Sequence, residues 1–312
     1  MIKIFSVRKI LITSLLLVVA LILYSFPKEL EQDIDNKDYD TLNIYLIDSN
    51  NYVAMTSVLS HVNDINDKVK MIIDSLTVGT SEVRNGFLPI IPKGTKLIDF
   101  NIENDLIKIN FSKEFLNISL ENENKLIESI VFSLTSLEGI EKVMIFVEGK
   151  LLNKLPNSHK KLDVYLDRSY GINKIIDINK ISGNKMVTVY YLSQSDEVYY
   201  IPVSYVLEDN QESIQIIVES LRTNKMNSSY LSSHLDYQVK LMNYEKIDDE
   251  FFLNFNDALL SSVYDGKLKE EVKYALSYSI LDTYSIENVI FQVNSNKIDE
   301  LRLAKEFLML YN

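Results

Sequence analysis

The sequence predicts an α+β protein made of two tandem ββαββαβ units, each with two helices packed on a mainly antiparallel sheet. The first observation is a hairpin pattern in residues 97–111, where apolar and polar residues alternate on both sides of a polar turn at Glu103-Asn104-Asp105. Such alternation is typical of an antiparallel hairpin with one buried face. The second observation is that the pattern returns in residues 239–255, where Leu253-Asn254-Phe255-Asn256 matches Ile109-Asn110-Phe111-Ser112.

The first unit spans residues 41–152. Two strand-like runs, 42–47 and 53–59, precede a helix whose apolar residues lie at i, i+3, i+4 and i+7. Those residues are Val69, Ile72, Ile73 and Leu76. A loop rich in proline and glycine leads to the hairpin, and a second helix (122–137) and a closing strand (143–147) complete the unit.

The second unit spans residues 186–300 and repeats this order. Residues 187–192 match the first strand, and 289–293 match the closing strand. The apolar residues that match the two helices are Ile214, Ile217, Val218 and Leu221, then Val272, Leu276 and Ile280. An inter-domain segment (153–185) connects the units, and a tail (301–312) follows. Four elements in one order at nearly constant spacing indicate a duplication.

The N-terminal segment 1–27 predicts a cytoplasmic stub and a transmembrane anchor. Ile10 to Phe26 is uncharged and largely apolar, with Lys3, Arg8 and Lys9 before it and acidic residues after it. This asymmetry favours a single-pass protein in the cell membrane, with a cytoplasmic N-terminus and an extracytoplasmic body. A cleaved signal peptide and a buried soluble helix are the alternatives. Residues 28–40 predict an acidic tether.

Composition excludes several classes of function. A net charge of −12 is the opposite of what a nucleic-acid binder needs, so we expect no nucleic-acid partner. The absence of cysteine excludes disulfides, thiolate metal sites, a cysteine nucleophile and a lipid anchor on an N-terminal cysteine. The chain contains no phosphate-binding glycine motif and no paired histidines at metal-ligand spacing, so we expect no cofactor or metal. Its many carboxylates leave a hydrolase with an acidic pair as an open alternative.

One aromatic cluster suggests a second interpretation. Tyr190, Tyr191, Tyr199, Tyr200 and Tyr205 fall on the first two strands of the second unit. Tyrosine rings can stack on sugars, so the cluster could form a surface that binds peptidoglycan or another cell-wall glycan. Cross-strand aromatic packing explains the same cluster.

The first unit also contains a set of residues that resembles a known domain. They are Ile44-Tyr45-Leu46, Ser75-Leu76 with Gly79, the loop residues Gly86, Leu88, Pro89, Pro92, Gly94 and Thr95, the tetrapeptide 109–112, and Val143, Ile145, Val147 and Gly149. This arrangement resembles the GerMN domain, the repeated unit of the GerM family of bacterial sporulation and spore-germination proteins. The second unit departs from the pattern, with Leu231-Ser232-Ser233-His234 in place of the proline-glycine-threonine turn.

The resemblance implies a protein without catalytic residues, located in the cell envelope. Its domains look like ring-building modules, in which helix-on-sheet units pack side by side. The partners implied are the membrane, through the N-terminal helix, and envelope or sporulation-complex proteins, including further copies of the chain. We therefore expect a membrane-anchored scaffold with tandem GerMN domains, and a glycan-binding module is the alternative.

Overall fold

The computed structural model of the chain describes residues 40–177, 184–193, 198–208, 211–224, 230–284 and 286–302. The predicted anchor lies outside the described residues, as do nearly all of the tether and most of the tail. Within the described ranges, no helix combines the length and the apolar composition that a membrane span requires. Residues Tyr39–Asn312 form one compact unit, which contains both repeats.

The first repeat follows the predicted order. Its elements are β1 (Asp40–Asp48), β2 (Val53–Ser60), α1 (Ile65–Leu76), β3 (Phe87–Leu88), β4 (Leu97–Glu103), β5 (Leu106–Phe111), a 3-10 helix (Lys113–Leu116), α2 (Glu123–Leu134), β6 (Lys142–Val147) and β7 (Lys150–Leu151). The connecting segment contains a second 3-10 helix (Arg168–Tyr170) and β8 (Ile175–Asp177).

The second repeat has the same order with additions. Its elements are β9 (Asn184–Ser193), β10 (Tyr200–Glu208), α3 (Ser213–Thr223), β11 (Leu231–Ser232), β12 (Leu241–Ile247), β13 (Glu250–Phe255), a 3-10 helix (Asp257–Ser262), β14 (Val263–Tyr264), β15 (Lys267–Leu268), α4 (Glu270–Leu281), β16 (Asn288–Val293) and β17 (Asn296–Arg302). The β14–β15 hairpin has no counterpart in the first repeat. The α+β class is therefore confirmed.

The strands do not form one sheet per repeat. The first hairpins of both repeats share one sheet in the order β11-β9-β10-β2-β1-β3, with β8 paired to β10. The central hairpins and closing strands form separate four-stranded sheets, β4-β5-β6-β7 and β12-β13-β16-β17, in which β5–β6 and β13–β16 are parallel. The predicted mainly antiparallel pairing is confirmed, but the prediction of one sheet per unit is wrong, because apolar alternation shows which face of a strand is buried but not which strand lies beside it.

Two helices in each repeat cover the shared sheet: α1 and α2 pack on β1, and α3 and α4 pack on β9. Helix α1 begins at the N-cap Asp64, whose carboxylate accepts hydrogen bonds from the backbone N–H groups of Asn66 and Asp67. Its apolar stripe, with Val69 and Ile72 fully buried, faces the core.

The repeated tetrapeptide holds the closing strands in place. Asn110 Oδ1 accepts a hydrogen bond from the N–H of Gly149 at 3.0 Å, in the turn after β6. Asn254 Oδ1 accepts one from Ser295 N at 2.9 Å, in the equivalent turn after β16. An asparagine at this position therefore ties the central hairpin to the end of the closing strand in both repeats.

The side chain of the last residue of the tetrapeptide accepts a hydrogen bond from the backbone just before the central hairpin. Ser112 Oγ accepts from Lys96 N at 3.0 Å, and Asn256 Oδ1 accepts from Lys240 N at 2.9 Å. Two different side chains therefore satisfy the same backbone donor. The phenylalanine between the two polar positions is fully buried in each repeat, so the motif combines one core residue with two backbone contacts.

Candidate functional site

The residues of the family motif form a loop that packs on the end of α1. Its backbone N–H groups at Ile90 and Ile91 both donate to the carbonyl of Leu76, at 3.0 and 2.8 Å. The N–H and the hydroxyl of Thr95 both donate to Pro92 O, at 3.1 and 2.7 Å, and close a turn.

The motif glycines have a conformational role and the motif leucine is exposed. Gly86 and Gly94 have φ angles of +86° and +84°, which only glycine adopts readily. Leu88 is 63% exposed on β3, and Pro89 follows it. The loop thus acts as a structural element that leaves one apolar side chain on the surface.

The second repeat contains an equivalent turn made with different residues. Val239 N donates to Asp236 O at 3.0 Å, as Thr95 N donates to Pro92 O. The side chain of Asp236 accepts a further hydrogen bond from Gln238 N at 2.7 Å, which is the pattern of an Asx turn. The second repeat lacks the proline-glycine-threonine motif as predicted, but the predicted position of the equivalent segment is wrong, because the turn lies at residues 236–239 rather than at 231–234.

The five tyrosines of the aromatic cluster are all buried. Their exposed fractions are 2% for Tyr190, 0% for Tyr191, 6% for Tyr199, 1% for Tyr200 and 1% for Tyr205. The prediction that they form a glycan-stacking surface is wrong, because no ring face is accessible to a sugar. The rings belong to the core: that of Tyr190 packs against Tyr278 of α4, and that of Tyr199 packs against Phe87 of β3.

These tyrosines find hydrogen-bond or ring partners inside the core. The hydroxyls of Tyr191 and Tyr205 lie 2.8 Å apart, and the ring of Tyr200 packs edge-on against Tyr274 and Tyr278 of α4. Burial raises the pKa of Tyr205 to about 12, and it also raises the pKa values of Tyr191 and Tyr200. All three are therefore neutral phenols at physiological pH.

Tyr190 lies where the two repeats meet, with Tyr45, Arg168 and Asp282, and we call this group the junction. Its hydroxyl lies 3.1 Å from the hydroxyl of Tyr45, its counterpart on β1. The backbone N–H of each tyrosine donates to a serine hydroxyl on the second helix of its own repeat: Tyr45 to Ser133 and Tyr190 to Ser279, both at 2.9 Å. Equivalent residues that meet each other indicate a local two-fold relation between the repeats.

Arg168 bridges the two repeats at this point. Its guanidinium pairs with the Asp282 carboxylate after α4 and donates to the Ser136 hydroxyl after α2 at 3.1 Å. Asp282 also accepts from the Tyr190 hydroxyl at 2.7 Å. Burial opposes the positive charge of Arg168, but Asp282 outweighs it and holds the arginine pKa well above its usual value.

The side chain of Asn173 bridges β2 and β10 where their backbone hydrogen bonds stop. Strands β2 and β10 pair antiparallel at Met55 and Tyr200, but Pro202 has no N–H to continue the ladder. The Asn173 amide donates to the carbonyls of Val53 and Pro202, at 2.7 and 2.8 Å, and accepts from Val53 N at 2.9 Å. The connecting segment therefore contributes a side chain to the seam between the repeats.

The motif loop also contacts the second repeat. The ring of Phe87, between the motif residues Gly86 and Leu88, packs edge-on against Tyr199 at a centroid distance of 4.8 Å. The Tyr199 hydroxyl donates to the buried carboxylate of Asp48 at 3.0 Å. The loop therefore helps to fix the orientation of the two repeats.

The junction connects the two repeats through polar side chains. Its polar groups are mutually bonded and largely buried, so they have no open position for a substrate. In the part of the chain that the structure describes, no three histidine or acidic side chains are placed to share a metal ion. The sequence reasoning missed Arg168, Asn173 and Asp282; the signal for Asn173 was Pro202 inside the second predicted strand of the second unit.

Comparison with known proteins identifies the family. Residues 43–153 match the model of the Germane family, described as sporulation and spore germination. The spore germination protein GerM of Bacillus subtilis is 29% identical over 262 residues, which cover 80% of this chain and 70% of that protein. The chain is similar to the GerM family, and its first repeat matches the family model. The resemblance stated from the sequence is confirmed.

The solved tandem GerMN domains of the sporulation protein GerM from B. subtilis share the fold. The TM-score is 0.75 at 24% identity, with 83% of this chain and 92% of that chain covered. This similarity extends the GerMN fold to both repeats, although the family model matches only the first. Both repeats of the chain therefore have the GerMN fold, and the first matches a family described as sporulation and spore germination.

Proposed function

We propose that this chain is a non-enzymatic scaffold of the GerM family, anchored in the membrane with its body outside the cytoplasm. It acts through association with envelope proteins during sporulation or germination. The observation that carries the proposal is the junction, in which Tyr45, Arg168 and Asp282 fasten two GerMN repeats into one body. A fixed pair of domains presents its outer surfaces at a constant spacing, which suits simultaneous binding by several weak contacts.

Side-chain surfaces are better suited to this association than strand edges. The outer strands β4 and β12 each carry a β-bulge, between Leu97 and Asp99 and between Leu241 and Asn243. Bulges interrupt the regular row of donors and acceptors that an added strand needs. Leu88 illustrates the alternative, an apolar side chain that the motif loop holds on the surface.

The test is the molar mass of the Tyr39–Asn312 unit by light scattering across a concentration series, alone and with each candidate sporulation envelope protein. We expect a complex of defined stoichiometry with at least one partner or with itself, and no turnover of purified cell wall. Hydrolysis of cell-wall material by this unit, abolished by a single acidic substitution, contradicts the proposal.

The tyrosines predicted to bind glycans are buried, so the glycan-binding alternative needs a different surface. A second experiment distinguishes this alternative from the scaffold proposal. The same unit is incubated with purified sacculi and sedimented. Retention that survives Leu88→Ser and exceeds retention of an acidic control protein favours a glycan site elsewhere on the surface. The scaffold proposal expects the unit to stay in solution.

A further inference from the structure

A basic hairpin begins at β7 in the first repeat. Residues 149–162 contain four lysines and one histidine but no aspartate or glutamate, in a chain whose net charge is −12. These basic residues are all exposed: Lys150, Lys154, His159, Lys160 and Lys161. A local concentration of positive charge in an acidic protein creates a surface with the opposite sign from the rest of the molecule.

The hairpin is an ordered part of the fold. Lys154 and Lys161 pair across an antiparallel bridge, and Leu162 N donates to Asn153 O at 3.0 Å. Leu155 and Leu162, beside the two lysines, are buried at 0% and 8% exposure. Alternation along the strands therefore places leucines in the core and lysines in solvent.

The lysine side chains of the hairpin form no ion pair within the described residues. Those of Lys150, Lys154 and Lys161 also make no hydrogen bond in that part of the chain, whereas Lys160 reaches the amide oxygen of Asn124 at 3.4 Å and lies 5.6 Å from the centroid of the Tyr170 ring. The Glu123 carboxylate accepts hydrogen bonds from the backbone of the hairpin loop, at Asn157 and Ser158, rather than from a lysine. Like charges directly opposite each other on two strands are destabilising.

The repeat itself does not require the hairpin. After the equivalent turn in the second repeat, the chain continues as β17, which contains Asp299 and Glu300. Strand β7 is the counterpart of β17, since each pairs antiparallel with the closing strand, and the rest of the basic hairpin, residues 152–162, is an addition to the first GerMN unit.

Exposed apolar side chains lie beside the lysines. The hairpin loop is fastened to the segment before α2, where Asn157 Nδ2 donates to Ile118 O at 2.8 Å. In that segment Leu116 and Leu120 are 39% and 62% exposed, and Tyr165 after the hairpin is 54% exposed. Basic charge next to exposed leucine and tyrosine is the composition of surfaces that bind at a lipid interface.

We infer that this surface, the hairpin 149–162 with Leu116 and Leu120, binds the anionic phospholipid headgroups of a membrane. The lysine ammonium groups meet the phosphates, and Leu120 enters the boundary between headgroups and acyl chains. Lysine favours a lipid surface over a specific acidic peptide, because its point charge on a flexible stem lacks the planar, bidentate geometry of arginine. The contact is separate from the predicted N-terminal anchor.

The test uses the Tyr39–Asn312 unit, which is compact without the anchor, with its fold verified by circular dichroism. We expect it to co-sediment with vesicles of equimolar phosphatidylglycerol and phosphatidylcholine at low salt, but not with phosphatidylcholine alone. Lys154→Gln with Lys161→Gln weakens binding roughly 25-fold, about fivefold for each charge. Leu120→Ser weakens it by roughly threefold to tenfold and leaves the salt dependence unchanged.

The matched control removes two exposed lysines from the second repeat, by Lys267→Gln with Lys269→Gln. Binding to the mixed vesicles that stays within about twofold of the unsubstituted protein supports the hairpin as the site. An equal loss in the control overturns the inference, because it indicates non-specific charge attraction. Binding to polyglutamate but not to the vesicles also overturns it, in favour of an acidic polymer.

Discussion

The two repeats form equivalent backbone hydrogen bonds but carry different side chains at the equivalent positions. In the first hairpin, Asp48 N donates to Tyr52 O and Ser193 N donates to Tyr199 O, both at 2.9 Å, so these positions are equivalent. The residue after each tyrosine is Val53 in the first repeat and Tyr200 in the second. At this position the second repeat therefore buries a tyrosine where the first buries a valine.

The comparison shows that contacts to the backbone are repeated more faithfully than residue types. The turn before the central hairpin is closed by the same N–H to C=O bond in both repeats, once around Gly94 and once around Gln238. The donor at the hairpin entry is satisfied by Ser112 or by Asn256. A sequence motif can be lost while the hydrogen bond that it supplied is kept.

The largest expected loss of stability tests whether the buried phenylalanine of the tetrapeptide has the same role in both repeats. Phe111→Ala and Phe255→Ala each remove a fully buried ring from the tetrapeptide. Each should lower the free energy of unfolding by about 3–5 kcal/mol, as measured by urea denaturation. Ile98→Ala, at a half-exposed position, is the control and should cost far less. Unequal losses at the two phenylalanines contradict the equivalence.

The next prediction concerns Arg168, which binds a carboxylate (Asp282) in the second repeat but a hydroxyl (Ser136) at the equivalent place in the first. Asp282→Asn leaves Arg168 without its carboxylate and should cost roughly 2–4 kcal/mol, less than a fully buried pair because a quarter of the arginine side chain is exposed. Ser136→Ala, at the equivalent place in the first repeat, removes one neutral partner and should cost about 1 kcal/mol.

Calorimetry distinguishes these two variants by the shape of the transition. In Asp282→Asn the repeats should begin to unfold separately, whereas Ser136→Ala should keep a single transition. Adding Arg168→Leu to Asp282→Asn should restore part of the lost stability, because no unpaired charge then remains. A Ser136→Ala effect as large as that of Asp282→Asn contradicts the asymmetry.

Alkaline pH tests the buried tyrosines of the second repeat. The folded state raises the pKa of Tyr205 to about 12, so it keeps a proton that the unfolded chain releases near pH 10. Stability is therefore complete below about pH 10 and falls as the pH rises towards 12, by roughly 1.4 kcal/mol per pH unit for each such tyrosine. Tyr191→Phe with Tyr205→Phe should reduce this slope in denaturation experiments more than Tyr45→Phe does.

The smallest effect tests the two versions of the turn. Gly94→Ala places a side chain at φ +84° and should cost about 1–2 kcal/mol in thermal unfolding, although open space surrounds the added Cβ. Gln238→Ala at the equivalent position should be close to neutral, because Gln238 has no positive φ angle. An equal cost at both positions contradicts the different turn chemistry.

The sequence predicted much of this protein because its strongest signals are local. Period-two and period-3.6 apolar patterns indicated the strands and helices of both repeats, and the recurring tetrapeptide indicated the duplication. The family followed from the loop with Pro89, Pro92 and Gly94. These signals depend on neighbouring residues, and a single sequence contains them directly.

The tertiary structure decided which elements meet. Tyr190 looked like part of a surface cluster, but the antiparallel pairing of β2 with β10 buries it against Tyr45. Arg168 and Asn173 lie in a connecting segment without a motif, and they matter because the fold brings both repeats around them. Contacts between residues far apart in sequence depend on the packing of whole sheets, and local patterns do not encode that arrangement.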